Sequence, residues 1–372
     1  MTHSKSGFTI VAGPCSAESE EQLFESAKRL RNHKICDVFR AGVWKPRTRP
    51  GSFEGFGLKA VKWMSQVKTQ LSIPIATEAA NAEQAEILLK NNFDIIWLGA
   101  RTTVNPFLVQ EISDVISGAD VTILIKNPIN ADIKLWLGAT ERVLRASPAQ
   151  VMAVHRGFQS YDEKLYRYSP RWDIAIQYMA AMPDVQLLCD PSHISGRREL
   201  IPDVMKKAIE LGFAGVMVEV HPNPDMALSD KDQQITPEEF GEIIQKILPE
   251  VRQEAHDEAQ VALERLRIMV DSLDEEMLTL LSRRLELVDQ IGQFKKENNI
   301  PIFQPHHWEE VFDLRARIAV RLNMSPEFVE DIIQAIYKES MRRQTLIYQN
   351  NPYSGEDPRL DEMLKQLSAN TY

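Results

Sequence analysis

Cysteine and long apolar runs are both scarce in this sequence, and each shortage excludes a class of protein. The 372 residues include three cysteines, Cys15, Cys36 and Cys189, and an odd, sparse set does not suit a disulfide framework. A reducing compartment is the simpler interpretation, so the sequence predicts a cytoplasmic protein. No stretch approaches 18 apolar residues and the N-terminus has no signal-peptide core, so no membrane segment is expected.

Positive charge is scarce as well. Lys and Arg number 43 against 53 Asp and Glu, which gives a net charge of −10. Nucleic-acid binders usually present a basic face, so no nucleic-acid partner is expected. A local cluster of Arg and Lys can still hold an anionic substrate. The length exceeds what one hydrophobic core usually organises, which predicts two domains.

Short Val- and Ile-rich runs alternate with longer amphipathic stretches through residues 1–250. Nearly continuous apolar runs suit strands that are covered on both faces, as in parallel sheets. The candidate strands are Phe8–Ala12, Asp37–Ala41, Pro74–Thr77, Ile95–Leu98, Val121–Ile125, Val151–Val154, Val185–Cys189 and Gly215–Val220. Eight βα units of this kind predict a (β/α)₈ barrel over residues 1–250, with a doubly wound open sheet as the structural alternative.

Glycine becomes scarce after Val251, and helical periodicity replaces the β pattern. The sequence predicts a linker or solvated helix start over residues 251–262. An all-helical domain is expected over residues 263–350, and a polar tail over residues 351–372.

The helical domain is predicted to contain one long helix and two shorter ones. The shorter helices are expected at His307–Leu322 and Pro326–Gln349, the latter with Ser325 as its candidate N-cap. Three helices of this kind provide too little core for a free monomer, so a homodimer through this domain is expected.

Polar residues follow every candidate strand. In a barrel the active site lies at the C-terminal ends of the strands, so these residues are candidate site residues. They are Cys15, Arg40, Lys45, Arg47, Glu78, Arg101, Lys126, His155, Arg156, Asp190, His193 and Glu219. Loops are often polar, but polar residues at eight strand ends out of eight indicate a common site.

Four residues offer metal ligands. A thiolate, an imidazole and two carboxylates come from Cys15, His193, Glu219 and, in the loop after the last strand, Asp230. These mixed ligands fit Mn²⁺, Fe²⁺, Co²⁺ or Zn²⁺ better than Mg²⁺ or Ca²⁺. Taken singly, Cys15 also fits a buried small residue, and His193 a hydrogen-bonded structural histidine.

Five other candidates are cations. They are Arg40, Lys45, Arg101, Lys126 and Arg156. Long cations rarely point into a barrel mouth unless an anion binds there. Five of them predict several negative charges, such as a phosphate and a carboxylate. Surface salt bridges are the alternative.

Seven motifs follow one another through the first 235 residues. They are AGPCSAES, FRAGVWKPRTRPGSFEGFG, GARTTVNP, LIKNP, HRG, DPSHISG and VEVHPNPDMALSD. In this order they resemble the 3-deoxy-D-arabino-heptulosonate 7-phosphate (DAHP) synthases, in the form without an added N-terminal regulatory domain. The resemblance implies a metal-dependent, aldol-type condensation of phosphoenolpyruvate with erythrose 4-phosphate. The alternatives are a 3-deoxy-D-manno-octulosonate 8-phosphate synthase and a sialic acid synthase, although the KPRT motif favours the four-carbon aldehyde.

The same resemblance implies roles for the candidate residues. The metal ligands would be Cys15, His193, Glu219 and Asp230. The phosphoenolpyruvate cradle would be Arg40, Lys45, Arg101, Lys126 and Arg156, with Asp190 as a further substrate-binding candidate. The KPRT signature that receives erythrose 4-phosphate would be Lys45, Pro46, Arg47 and Thr48. Lys45 and Glu78 are the catalytic candidates, with Glu78 ordering water. The chain departs from the family at His155, where related sequences often carry Glu, and in the Val-Asn-Pro run after Thr103.

The C-terminal part carries a second resemblance. The segment LERLRIMVDSLDEEMLTLLSRRLELVDQIGQFKKENNIPI and the later YKESMRRQ resemble the all-helical chorismate mutases over about Leu263–Ile347. Arg284 and Lys295 are 11 residues apart, which places them within roughly 20° of one helix face. Arg267 precedes Arg284 by 17 residues, which turns it about 100° away from that face.

The resemblance implies a mutase pocket that two chains share. Arg267 would cross into the partner's site. The remaining pocket residues would be Arg284, Lys295, Ser340 and Gln344, with Lys295 and Gln344 on the breaking ether oxygen. His307 stands where the family has arginine, and after Trp308, Glu309 stands one step past the usual glutamate.

Three interpretations of the helical domain stay open. It could catalyse the conversion of chorismate to prephenate, it could sense either compound and restrain the barrel, or it could only dimerise the chain. An isochorismate lyase is a further alternative, because the same small fold can host that reaction.

Overall fold

The computed structural model describes residues 7–45, 51, 53–160, 165–251, 257–303, 315, 317–319 and 321–350. The chain divides into two compact units, Met1–Gln253 and Glu254–Tyr372.

Eight parallel strands form a closed barrel in the first unit. They are β1 Thr9–Gly13, β2 Val38–Arg40, β3 Ile75–Glu78, β4 Ile95–Leu98, β5 Thr122–Lys126, β6 Gln150–His155, β7 Gln186–Cys189 and β8 Gly215–Glu219. Each strand pairs with the next, and β8 pairs with β1 from Thr9↔Gly215 to Gly13↔Glu219. The predicted (β/α)₈ barrel is confirmed, and the closure of the sheet shows that the open-sheet alternative is wrong.

Amphipathic helices cover the outside of the barrel. They are α1 Glu20–Asn32, α2 Leu58–Leu71, α3 Ala82–Lys90, α5 Pro106–Val115, α6 Ile133–Arg145, α7 Trp172–Ala181, α9 Ile201–Glu210 and α10 Pro237–Val251, whereas the short helices α4 Ala100–Thr103 and α8 Pro191–Ser195 follow β4 and β7 almost directly. Side-chain caps fix several of the starts, since Ser19 accepts a hydrogen bond from the Gln22 amide and Asn81 accepts one from the Gln84 amide.

Alternation along the strands builds two apolar layers. On β4, Ile95 and Trp97 point into the barrel and join an inner cluster of buried side chains. Ile96 and Leu98 point outward and pack under the helices. Because the inner cluster fills the barrel, the polar residues that end the strands lie above it, at the C-terminal mouth.

The second unit is built on two described helices, α11 Asp257–Glu297 and α12 Pro326–Tyr348. They run parallel to each other, since Arg284 contacts Ser340 and Asp289 contacts Arg343 further along. Ser325 caps α12 by accepting a hydrogen bond from the Phe328 amide, as predicted.

Other predicted features of this unit are met in part. The long helix begins at Asp257, inside the stretch predicted as a linker or solvated helix start. Most of the predicted helix His307–Leu322, and the tail over residues 351–372, lie outside the described residues. Within the part of the chain that is described, no helix is both long enough and apolar enough to cross a membrane.

Candidate active site

The four candidate metal ligands lie together at the mouth of the barrel. Cys15 follows β1, Glu219 ends β8, and Asp230 lies in the loop that follows β8. These three residues offer ligand atoms within 4.8 Å of one another. His193 on α8 joins them, since its Nε2 lies 4.0 Å from Glu219 Oε1. Residues from three distant parts of the sequence therefore meet in one cluster.

The geometry of this cluster fits a divalent cation. Glu219 Oε1 is buried without a hydrogen-bond partner among the described residues, although the Nη2 atom of Arg40 lies 3.4 Å away. Burial, followed by the nearby charge of Glu219, raises the pKa of the Cys15 thiol to about 12. A cation would satisfy the orphaned oxygen and would stabilise the thiolate that burial disfavours.

Asp190 orients His193 rather than facing open space. One carboxylate oxygen accepts hydrogen bonds from the His193 amide, at 3.0 Å, and from Nδ1, at 2.9 Å. The other accepts one from Lys126 Nζ, at 2.7 Å. Burial acts to raise the pKa of Asp190, but the charges of His193 and Lys126 hold it well below its usual range. An ionised Asp190 fixes the ring so that Nε2 faces the cluster, the usual arrangement behind a metal-binding histidine.

Two further residues, which the sequence analysis missed, hold the carboxylates of the cluster. Gln233 donates from Nε2 to Glu219 Oε2 across 2.7 Å. Arg167 donates from Nη1 to Asp230 Oδ1 at 3.1 Å and to Gln233 Oε1 at 2.5 Å. Arg167 lies in the segment between β6 and α7, and Gln233 ends a short 3-10 helix, Lys231–Gln233, after β8. In the sequence these two residues are marked only by the adjacent glutamines Gln233 and Gln234, shortly after Asp230. Gln234 also contacts the cluster, since its Oε1 accepts a hydrogen bond from the Cys15 amide at 2.9 Å.

The candidate cations surround the same mouth with different burial. Arg40, Lys126 and Arg156 are buried, Lys45 is half-buried, and Arg101 is exposed. Arg40 is 1% exposed, and its Nε and Nη1 have no hydrogen-bond partner among the described residues. A buried guanidinium with two unused donors is prepared for an anionic ligand.

Gly13 allows Arg40 to lie next to the metal cluster. Its φ is +150°, and a Cβ there would lie 2.1 Å from the Arg40 carbonyl oxygen. The missing side chain lets the ends of β1 and β2 approach closely. As a result Arg40 Nη2 donates to the Cys15 carbonyl oxygen at 3.2 Å.

Tyr168 is another residue that the sequence analysis missed. Its ring lies under the Arg156 guanidinium, with Cζ 3.5 Å from the ring centroid. Burial acts to raise the pKa of Tyr168, but the charges of Arg156, Arg167 and Arg101 outweigh it and lower that pKa. These arginines therefore concentrate positive charge on one side of the mouth. The KPRT residues Pro46, Arg47 and Thr48 lie outside the described residues.

The second unit brings together most of its predicted pocket residues. Arg284 Nη1 donates to Ser340 Oγ at 2.9 Å. Gln344 is buried against Gly292, and Lys295 donates to the Ile302 carbonyl oxygen at 2.7 Å.

One cation of the second unit was not anticipated. Burial, followed by the charge of Arg315, lowers the pKa of Arg284, so Arg315 is a neighbour of this pocket. Arg267 is exposed on its own chain. His307, Trp308 and Glu309 lie outside the described residues.

The barrel presents a candidate metal site beside a buried guanidinium, two of whose nitrogens have no hydrogen-bond partner in the part of the chain that is described. This combination is typical of enzymes that act on small anionic substrates. Comparison with known sequences makes this class specific. The chain belongs to the DAHP synthetase I family, whose model matches residues 4–255, and the chorismate mutase type II family matches residues 266–345. Both resemblances noted from the motifs are confirmed, and both families are enzymes. DAHP synthases are generally metal-dependent.

Individual relatives agree with this assignment. The phospho-2-dehydro-3-deoxyheptonate aldolase of Thermotoga maritima is 33% identical over 241 residues, which cover 64% of this chain and 69% of that protein. The crystal structure of a DAHP synthase from the same organism matches with a TM-score of 0.58 and 31% identity, over 65% of this chain and 68% of that one. A 2-dehydro-3-deoxyphosphooctonate aldolase of Bradyrhizobium diazoefficiens is 24% identical over 260 residues, 64% of this chain and 88% of that protein.

Proposed function

We propose that the barrel condenses phosphoenolpyruvate with erythrose 4-phosphate and water, giving DAHP and inorganic phosphate. The observation that carries this proposal is the adjacency of two unsatisfied buried groups. Arg40 Nη2 lies 3.4 Å from Glu219 Oε1, and among the described residues Arg40 Nε and Nη1 and this carboxylate oxygen have no hydrogen-bond partner. Such a pair suits an anionic substrate that binds directly beside a cation.

The residues divide the chemistry between them. Arg40, Lys126 and Arg156 bind the carboxylate and phosphate of phosphoenolpyruvate and orient its C3 toward the aldehyde. Cys15, His193, Glu219 and Asp230 would hold a divalent ion that, when bound, polarises the aldehyde as a Lewis acid. The thiolate and imidazole favour Mn²⁺, Fe²⁺, Co²⁺ or Zn²⁺ over Mg²⁺.

Attack of C3 forms the new carbon–carbon bond and leaves positive charge at C2. Lys45 donates a proton to the aldehyde oxygen as that oxygen becomes a hydroxyl group. Glu78 orients the water that adds to C2 and accepts its proton. The resulting hemiketal phosphate then collapses, its C–O bond breaks, and inorganic phosphate leaves. The cationic cradle stabilises the anionic groups throughout.

The decisive experiment follows the loss of phosphoenolpyruvate by metal-reconstituted protein. Consumption with erythrose 4-phosphate, no consumption with arabinose 5-phosphate, and loss of activity in EDTA are expected. Consumption with arabinose 5-phosphate would instead support the octulosonate-type alternative, to which relatives such as the Bradyrhizobium protein give some weight. No consumption with either aldehyde would contradict the proposal.

For the second unit we propose conversion of chorismate to prephenate in a pocket completed by a second copy of the chain. Arg284 and neighbouring Arg315 would bind the dicarboxylate in a compact conformer, while Lys295 and Gln344 hydrogen-bond the ether oxygen. The burial of Gln344 against Gly292, on the helix pair that also holds Arg284 and Ser340, supports this role, in which its Nε2 would donate to the ether oxygen.

The surface of α11 supports the homodimer. Large apolar side chains on this helix are exposed in the single chain, among them Leu273, Met277, Leu280, Leu287 and Phe294. These positions recur at spacings of three, four and seven residues, as on a helix face that packs against another helix. A second α11 covering this face would also bring Arg267 to the partner's pocket. Sedimentation analysis should show a dimer that Leu280→Lys dissociates.

Feedback is the third part of the proposal. Prephenate or chorismate bound to the helical unit would slow the synthase, because the two reactions are an early and a late step of one pathway. Binding linkage is reciprocal, so phosphoenolpyruvate should change the affinity of the helical unit for prephenate. Equal affinities with and without phosphoenolpyruvate would contradict this coupling.

A further inference from the structure

We propose that Trp97 is a positioning residue for the synthase reaction, holding Arg40 and Lys126 with its ring and Glu78 with its N–H group. The inference rests on the proposed function of the barrel. It assigns a role to a side chain that the chemistry above does not use.

Trp97 occupies the level of the barrel directly below the substrate cradle. It lies on β4, pairs with Glu78 on β3 and with Leu124 on β5, and is 1% exposed. Lys126 follows Leu124 by two residues on the same strand, so it lies on the same inner face one level higher.

The ring of Trp97 contacts two cations at once. Arg40 Cζ lies 4.8 Å from the ring centroid, and Lys126 Nζ lies 5.7 Å from it. Both distances are within the range of cation–π attraction, which is strongest for buried, desolvated cations. The electron-rich ring face therefore adds to the carboxylates of Asp190 and Glu219 in stabilising two neighbouring buried cations before an anionic substrate binds.

This form of support leaves the donors of Arg40 available. An aromatic ring attracts the guanidinium as a whole without accepting its N–H groups, and Nε and Nη1 remain unpaired among the described residues. A carboxylate in the same place would hold Arg40 more strongly but would compete with the substrate. Trp97 thus fixes the position of the cation without occupying its binding atoms.

The N–H group of Trp97 fixes Glu78. Nε1 donates to Glu78 Oε2 across 3.1 Å. Gly99 makes room for the other oxygen, since a Cβ there would lie 2.2 Å from Glu78 Oε1. One oxygen of the carboxylate is held, and the other is left for the water that adds to C2.

Three substitutions separate the two contacts. Trp97→Phe keeps a ring face and removes the N–H donor, Trp97→Gln keeps a donor and removes the ring, and Trp97→Leu removes both. Trp136→Phe is the matched control, because Trp136 is equally buried but lies in the outer layer, where it donates to the Ile125 carbonyl oxygen.

The readouts are calorimetric binding of phosphoenolpyruvate without aldehyde, and kcat with both substrates. Loss of the ring in Trp97→Gln and Trp97→Leu should weaken phosphoenolpyruvate binding by roughly 10-fold, the size of a buried cation–π contribution. Trp97→Phe should bind within about 3-fold of the wild type but lose roughly 10-fold in kcat, as expected for a lost hydrogen bond to a group in the chemistry. That loss in kcat should disappear when Trp97→Phe is made in a Glu78→Gln background.

Intrinsic tryptophan fluorescence is a second readout that does not depend on the folding of Trp97→Gln and Trp97→Leu. The change that phosphoenolpyruvate causes in the wild type should vanish in Trp97→Phe and persist in Trp136→Phe. Two outcomes would overturn the role of Trp97. One is that Trp97→Phe matches Trp136→Phe in both phosphoenolpyruvate binding and kcat. The other is that Trp97→Phe lowers kcat by the same factor in the Glu78→Gln background as in the wild type. Failure of the wild type itself to bind phosphoenolpyruvate would overturn the proposed function, and the inference with it.

Discussion

Gln233 donates a hydrogen bond to Glu219 across 2.7 Å, so that a neutral amide orients a candidate metal ligand that is itself fully buried. Arg167 holds the same amide from its other side and also holds Asp230. Two of the four candidate ligands, Glu219 and Asp230, are therefore connected through Gln233 and Arg167.

This connection predicts that Gln233→Leu weakens metal binding. Loss of an outer hydrogen bond to a ligand usually lowers affinity by roughly 10–100-fold, and we expect an effect of that size on the Kd for Mn²⁺. Titration of metal-free protein, followed by the Mn²⁺ resonance signal, measures it without any substrate. Gln186→Leu, an exposed glutamine at the start of β7, should bind Mn²⁺ like the wild type. Equal Mn²⁺ affinities for the two variants would show that Gln233 is only structural.

Arg40 provides the corresponding test of the anion site. Arg40→Met keeps much of the apolar volume but removes the unpaired donors, so the Kd for phosphoenolpyruvate should rise by about 30-fold or more, as for other buried charge contacts. Calorimetry on the folded variant measures this, and Arg145→Met on the exposed end of α6 is the matched control. Unchanged binding in Arg40→Met would place the phosphoenolpyruvate site elsewhere.

The barrel could be predicted from the sequence because its strands are buried on both faces. Runs such as Ile95–Leu98 have no polar position to obscure them, and their limits in the structure agree with the prediction to within one residue. The ends of such strands lie at one edge of the barrel, so strand position places Cys15, His193 and Glu219 near one another. Asp230, in the loop after β8, joins them by its residue type rather than by strand position.

The supporting residues could not be predicted in the same way. Arg167, Gln233 and Tyr168 lie in the short connections that follow β6 and β8, where neither periodicity nor strand position marks them. The resemblance makes Asp190 a substrate-binding candidate, but only the fold shows that it holds His193 and Lys126. Trp97 looked like an ordinary apolar strand residue, since its two cationic contacts depend on the register of neighbouring strands.

His155 predicts how the stability of the barrel depends on pH. His155 is the last residue of β6 and is fully buried among aromatic rings, including those of Trp172 and Phe213. Burial lowers its pKa to about 4. As the pH falls below about 6.5, His155 binds a proton in the unfolded chain, whereas in the folded chain it stays neutral until the pH nears about 4. The free energy of unfolding therefore decreases as the pH falls through this interval. Between pH 7 and pH 5 this loss should be about 2 kcal/mol.

The measurement is urea unfolding at each pH, followed by tryptophan fluorescence. Five of the six tryptophans lie in the barrel unit, so the signal reports mainly on that unit. His155→Phe should lose about 2 kcal/mol less than the wild type between pH 7 and pH 5. The wild-type pH dependence in His155→Phe would contradict this account.

His307 predicts a different effect of pH on the helical unit. By the resemblance to the chorismate mutases, it would occupy the position of a family arginine, and a histidine becomes a comparable cation only when protonated. Mutase activity should therefore be lower than is usual for the family and rise as the pH falls below about 6.5. A rate that is flat from pH 5 to pH 8, or unaffected by His307→Ala, would exclude this role.

Arg284 separates the three interpretations of the helical unit. Arg284→Ala removes the cation that donates to Ser340, whereas Arg283→Ala removes an exposed neighbour on the same helix. We expect Arg284→Ala to reduce kcat/KM for chorismate by about 100-fold or more, because a cation in a partly buried pocket contributes strongly to stabilisation of the transition state. Arg315→Ala should have a smaller effect, of roughly 10-fold, if this second cation acts on the same dianion. Arg283→Ala should match the wild type.

The same variants should be assayed for inhibition of the synthase by prephenate. Loss of both rearrangement and inhibition in Arg284→Ala would show that one pocket serves as catalyst and sensor. Loss of rearrangement alone would place the effector elsewhere, and loss of inhibition alone would make the unit a sensor without catalytic activity. If Arg284→Ala changes neither the rearrangement of chorismate nor the inhibition by prephenate while the dimer persists, the unit only dimerises the chain. A ligand bound in this pocket would otherwise lose affinity with the charge of Arg284.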